Sequence, residues 1–99
     1  MERILSREAI LSTLRKHKGE IQREFPVGRI ALFGSVVRAE QTGRRDVDIL
    51  VDVDPAIGLR FVNLAENLQE MLCCKVDLVS RRAIKPSLLK VIEAESIDV

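Results

Sequence analysis

Gly34-Ser35, a gap of ten residues, and then Asp46-Val47-Asp48 form the stretch whose residue types can do chemistry. A glycine lets the backbone approach a ligand closely and tolerates positive φ. A serine opening a helical turn presents a hydroxyl and an N–H to an anion, and the helix dipole adds to the attraction. Taken alone, such a turn is more often an ordinary strand-to-helix connection. Asp46 and Asp48 carry more information. On a strand they project from the same face, where they repel each other and lose hydration. A hard divalent cation with oxygen ligands relieves both costs. Asp52 and Asp54 repeat the same spacing, so spacing alone does not choose between the pairs. Proximity to Gly34-Ser35 favours Asp46 and Asp48, and leaves Asp52 and Asp54 as exposed acids at a strand end and its turn. A third carboxylate, Asp77, lies between apolar neighbours in Lys75-Val76-Asp77-Leu78-Val79. If its strand adjoins that of Asp46 and Asp48, three acids cluster. Such clusters hold metal ions that orient a triphosphate and activate an attacking hydroxyl.

The elements that must position these residues are legible in the apolar spacing. Ser6 can cap a helix starting at Arg7, with Ile10, Leu11, Leu14, Ile21 and Phe25 on one face. Gly19 weakens that helix and Pro26 ends it. A strand is expected over about residues 29–33, then a short helix over about 35–39 and a loop at Gln41-Thr42-Gly43. The next strand spans roughly residues 46–53, with Val47, Ile49, Val51 and Val53 on its apolar face and Asp46, Asp48, Leu50 and Asp52 on the other. Pro55 and Gly58 lead to a helix over about residues 59–72, with a core stripe of Phe61, Leu64, Leu68, Met71 and Leu72. A strand at residues 75–79, a connection at 80–85 and a last helix from Pro86 to near Glu95 complete the pattern. Ile97-Asp98-Val99 reads as a frayed tail or a short edge strand. Strands separated by helices of this length indicate an α/β domain with a three-stranded core sheet.

Composition narrows the class. The 99 residues suit one domain with a modest core, and 46% hydrophobic with 31% charged residues is an ordinary soluble balance. No apolar run approaches the ~20 residues a membrane span needs, and the charged opening lacks a signal-peptide core, so the expected location is the cytoplasm. A net charge of +1 gives no bulk field for nucleic acid or membrane. Among the basic clusters, Arg15-Lys16-His17-Lys18 and Arg81-Arg82 read as solvated faces. Arg44-Arg45, inside the motif, is where cations can meet phosphate. Cys73 and Cys74 are adjacent, a poor geometry for a disulfide and too few for a zinc site. They read as small apolar residues near a helix end.

Leu32-Phe33-Gly34-Ser35, the ten-residue gap, Asp46-Val47-Asp48-Ile49-Leu50-Val51 and Lys75-Val76-Asp77-Leu78-Val79 together resemble the minimal nucleotidyltransferases (MNT) of the DNA polymerase beta superfamily. The likeness runs on through Asp54-Pro55, Gly58-Leu59 and Ala83-Ile84-Lys85-Pro86, covering residues 27 to 95. It implies a polymerase-beta-like nucleotidyltransferase fold, a three-stranded mixed sheet packed with helices. The chemistry it implies is transfer of a nucleoside monophosphate from an NTP such as ATP to a hydroxyl, with release of pyrophosphate. By the same resemblance Asp46 and Asp48 bind two Mg²⁺ ions, Asp77 binds the catalytic metal and helps deprotonate the acceptor, and Gly34 and Ser35 hold the β- and γ-phosphates. Arg45 stands where the family commonly has Ser, either paired with a phosphate or set against Asp46. Val37-Arg38-Ala39 replaces the frequent Ala-Arg-Gly.

Some small members of this family act as antitoxins that attach AMP to a tyrosine of a HEPN-domain RNase toxin. The present chain has no Tyr, so such an acceptor would come from a partner. The alternative is an antitoxin that neutralises its toxin by binding alone. Direct nucleic-acid binding is not expected, and the amphipathic helices leave self-association open.

Overall fold

The computed structural model describes residues 6–38 and 46–99. The expectations at Ala39, Gln41-Thr42-Gly43 and Arg44-Arg45 lie outside those residues. Helix α1 (Arg7–Glu24) begins where Ser6 Oγ accepts the Ala9 N–H at 3.1 Å. It buries Ile10, Leu11, Leu14 and Ile21, and Phe25 closes it by donating its N–H to Ile21 O.

Strand β1 (Val27–Phe33) starts two residues before the expected position, because Val27 already pairs with Val53 of β2 (Val47–Val53). The antiparallel register then shifts between Val27 and Ile30, so the segment holding Gly28 forms the irregularity that apolar alternation could not reveal. Helix α2 (Arg60–Leu72) carries Leu64, Leu68 and Leu72 into the core and leads to β3 (Val76–Ser80). At its end Cys73 adopts a left-handed conformation, φ 55°. This is the usual place for such a residue after a helix. Both cysteines are free, and Cys73 is exposed rather than packed.

Strand β3 runs parallel to β2, as a strand–helix–strand crossover permits. Helix α3 (Pro86–Glu95) follows a 3-10 turn at Arg81–Ala83 and starts, as expected, with proline in its first turn.

The sheet has four strands, not three, in the order β3-β2-β1-β4. Strand β4 (Ile97–Asp98) pairs antiparallel with β1, Ile97 opposite Leu32 and Asp98 opposite Ala31. Two residues are too short to carry a periodic signal, and tertiary contacts hold them instead. Val99 donates to Ile30 O, while Arg15 and Lys18 of α1 donate to Asp98 O and to an oxygen of Val99, each at 3.0 Å. The basic cluster on α1 is therefore in part a latch for β4 rather than only a solvated face.

One sheet face, built from Ile30, Leu32, Val47, Ile49, Val51 and Val53, is buried against α1 and α2. On the other face Leu50 and Ala31 pair across the strands, almost wholly buried, at the side where α3 lies. Among the described residues no helix is long and apolar enough to cross a membrane.

Glu93 ties α3 to two other elements. Its carboxylate accepts from Arg29 of β1 at 2.9 Å and from Arg81 at 3.1 Å. The hydrogen bond from Arg81, joined by that from Arg29, holds the Glu93 carboxyl below the ordinary glutamate range. A carboxylate with a depressed folded-state pKa adds stability above its unfolded pKa, and that stability is lost as pH falls through the folded value. Glu93→Gln should therefore flatten the acid limb of a plot of melting temperature against pH. Equal slopes for both proteins by circular dichroism would show that the pair contributes nothing.

Candidate active site

Three strands deliver the site. Phe33, the last residue of β1, sits opposite Asp48 of β2, so the chain leaves β1 beside that carboxylate. It leaves through a single 3-10 turn, Gly34–Val36, rather than the longer helix expected over residues 35–39. Gly34 makes the bend at φ +80°, a conformation open to glycine at little cost. It also lies under Asp48. A β-carbon at position 34 would meet Asp48 Oδ2 at 2.1 Å and Cγ at 3.0 Å. The Val37 and Arg38 N–H groups close onto Gly34 O at 3.1 and 3.2 Å, while those of Ser35 and Val36 precede this closure at the start of the turn.

Parallel pairing then sets Asp77 of β3 beside Asp48 of β2 in the same register. In strands whose side chains alternate, partners in register share a face. Asp48 is half-buried and Asp77 is exposed, and the two carboxyl groups come within hydrogen-bonding reach. Asp46 lies one strand pitch away, half-buried just before β2, where Val47 N donates to Lys75 O at 2.9 Å. Gly34, Ser35, Asp46, Asp48 and Asp77 thus come together from segments far apart in the chain. Asp54 is drawn elsewhere. It caps the 3-10 turn Pro55–Ile57 through a 2.8 Å bond from Ala56 N. Asp52, four residues along β2, is about 13 Å from Asp48 at ordinary strand rise.

The electrostatics test whether a cation fits. The Asp48 carboxyl is pushed up first by desolvation, then by the negative charges of Asp77 and Asp46 and by the hydrogen bond with Asp77. The positive charge of Arg38 pulls it back. A cluster of acids with this imbalance is chemically matched to a hard cation. Among the described residues no three His, Cys, Asp or Glu side chains form a ready-made metal cage. Magnesium does not require one, since it commonly takes one or two carboxylates and completes its shell with substrate phosphates and water.

Two residues at the site were not singled out from sequence. Arg38 sits just beyond the turn, and its Nη1 donates to both oxygens of Glu95, each at 2.9 Å. Glu95, in the last turn of α3, also accepts the Gly34 N–H at 3.3 Å. Arg38 stands next to the turn and could have been flagged on that ground. Glu95 is 57 residues further along in the chain and gives no local signal. Beside the carboxylates opens a cleft of about 630 Å³ whose walls include Phe33, Phe61, Leu88 and Ile92, with Asp48 and Asp77 among its lining residues. An apolar or aromatic group can therefore lie next to the acids.

The chain is similar to known proteins over nearly its whole length. Residues 14–99 match the family model described as nucleotidyltransferase domain. Protein adenylyltransferase MntA of Thermococcus cleftensis is 40% identical over 98 residues, 97% of this chain and 98% of that protein. A solved structure of a candidate minimal nucleotidyltransferase is 32% identical, with a TM-score of 0.65 over 94% of this chain and 88% of its own. A toxin–antitoxin structure with AMP-PNP is 26% identical, with a TM-score of 0.67 over 84% of this chain and 69% of its own.

Proposed function

The chain belongs to the nucleotidyltransferase domain family, and from that premise we propose that it is a magnesium-dependent protein adenylyltransferase. Its reaction moves AMP from ATP to a tyrosyl hydroxyl of a partner HEPN-domain RNase toxin, and the chain acts as the antitoxin, a single minimal domain in the cytoplasm. The observation that carries this reading is the convergence of Asp46, Asp48 and Asp77 beside the Gly34–Val36 turn. The similarity to an adenylyltransferase, over nearly the whole length of both chains, supports AMP as the group transferred. The likeness to a toxin–antitoxin structure holding AMP-PNP supports ATP and a toxin partner.

In this reading the Ser35 hydroxyl and the N–H groups of the turn bind the β- and γ-phosphates. Asp46, Asp48 and Asp77 hold the magnesium, which when bound would neutralise phosphate charge and polarise the α-phosphorus. Asp77 takes the phenolic proton as the acceptor oxygen forms its bond to the α-phosphorus. The bond from that phosphorus to the bridging oxygen breaks, and pyrophosphate leaves with the electron pair. The pyrophosphate is held at the turn, so in-line displacement brings the acceptor from the opposite side.

Incubating the chain with its HEPN partner, ATP and Mg²⁺ should add the mass of AMP to a tyrosine of the partner, with no addition when EDTA replaces the metal. Intact-mass spectrometry that finds no adduct with any of the four NTPs would sink the proposal. Neutralisation of the toxin without any adduct would favour binding alone.

A further inference from the structure

We propose that Glu95 is a positioning residue for the triphosphate, fixing Arg38 and the Gly34 N–H so that the turn presents a preset cationic surface to the β- and γ-phosphates. This rests on the nucleotidyltransferase reading above and assigns to the same site a residue from the far end of the chain.

The argument starts from an apparent contradiction. A carboxylate beside a phosphate-binding turn should repel its ligand. Glu95 nevertheless lies there, accepting from Gly34 N at 3.3 Å and from Arg38 Nη1 at 2.9 Å through each oxygen. A fixed cation resolves the conflict. An arginine on the surface loses rotamer entropy when it is ordered around an anion, and a carboxylate that has already ordered it removes that cost from ligand binding. Arg38 is 47% exposed and Glu95 29%, so the pair lies where a ligand can reach it. Gly34 lies under Asp48, so Glu95 connects the end of α3 to both halves of the site.

Anchoring of α3 does not account for the contact. Glu93, two residues earlier, already binds α3 to β1 through Arg29 and to the preceding connection through Arg81. Strand β4 secures the chain immediately afterwards. Among the described residues Glu95 bonds only to Gly34 and Arg38, and both belong to the segment that turns beneath Asp48.

Calorimetric titration with a non-hydrolysable ATP analogue, and separately with AMP, both with Mg²⁺, tests the assignment without requiring turnover. Glu95→Gln should weaken binding of the analogue by about tenfold, the scale of one charge-assisted hydrogen bond. Affinity for AMP and the melting temperature should stay close to native. In an Arg38→Ala background, Glu95→Gln should add only part of that loss, because of its two contacts only the one to Gly34 N–H remains to be lost. Unchanged affinity for the analogue overturns the proposal. Tighter binding also overturns it, by showing that Glu95 competes with phosphate. Equal losses for the analogue and AMP would reduce Glu95 to a structural role. If the native chain binds no triphosphate, the function proposed above falls and takes this inference with it. A loss confined to the Glu95 variant would leave that function standing.

Discussion

Asp48→Asn should lower AMP transfer by about 10³-fold while leaving the domain folded and, without metal, melting above the native protein. The activity estimate follows from the metal's role. A cation on a transferring phosphoryl group stabilises the transition state by several kcal/mol, and each ~1.4 kcal/mol is a factor of ten in rate. Asp48 is half-buried, its carboxyl is the one raised by desolvation, and it is in register with Asp77.

The stability change has the opposite sign, and its direction follows from linkage. Desolvation and the charges of Asp77 and Asp46 raise the Asp48 carboxyl above its ordinary value. The folded chain then holds that proton more tightly than the unfolded chain. Stability falls as pH rises from the unfolded pKa through the folded one. At neutral pH the ionised group destabilises the metal-free fold, and asparagine, neutral throughout, removes that cost. Melting curves in EDTA should place the variant above the native protein. In excess Mg²⁺ the order should close or reverse, because ligand binding stabilises only the protein that binds it. A variant that melts well below native in EDTA would show that Asp48 has a structural role this account omits.

Gly34→Ala should be nearly as damaging to activity, for a steric reason. Alanine pays about 1–3 kcal/mol to keep the positive φ of that bend. Its methyl carbon would also enter the space of Asp48 Oδ2 and press on Cγ and Cβ. The carboxylate can swing aside, so the chain should still fold. The swing displaces it from Asp77 and the turn, and a misplacement of about 1 Å can cost roughly 10² in rate. Gly28→Ala is the internal control. No positive φ is recorded there, and an added β-carbon would meet its nearest neighbour, Asp52 O, at an ordinary 3.8 Å. Steady-state transfer by the two variants should therefore differ by about two orders of magnitude. Similar rates would mean that the close approach at position 34 has no bearing on chemistry.

These effects indicate what a sequence can disclose about such a site. The alternation in β2 was plain because one face is wholly apolar and the other carries acids, so the orientation of Asp48 followed from period two. The adjacency of Asp77 was a conditional expectation, and the βαβ crossover through α2 supplied the condition. The extent of the turn after Gly34 was not legible, because one 3-10 turn lacks the length to show periodicity. Strand β4 was legible only as one of two alternatives, a frayed tail or a short edge strand, because it is held by bonds from α1 and β1 rather than by its own pattern. Glu95 was beyond reach altogether. Its partners are set by where α3 crosses the sheet, and an acid in a last helical turn opposes the dipole there and suggests no particular bond. The place of Arg45 lies outside the described residues, and its part beside Asp46 stays with direct substitution.

The pairing of Asp48 with Asp77 turns the sheet into a measuring device. A slip of one residue between β2 and β3 would send Asp77 to the opposite face, into the space held by Val76 and Leu78, and would break the acid cluster without altering any side chain. Deleting or inserting one residue between Leu72 and Val76 is thus a different kind of lesion from a substitution. It changes the count along the chain rather than its chemistry. Residues of α2 and α3 that line the cleft, such as Phe61 and Leu88, can change without moving Asp77, whereas a change in the number of residues entering β3 cannot.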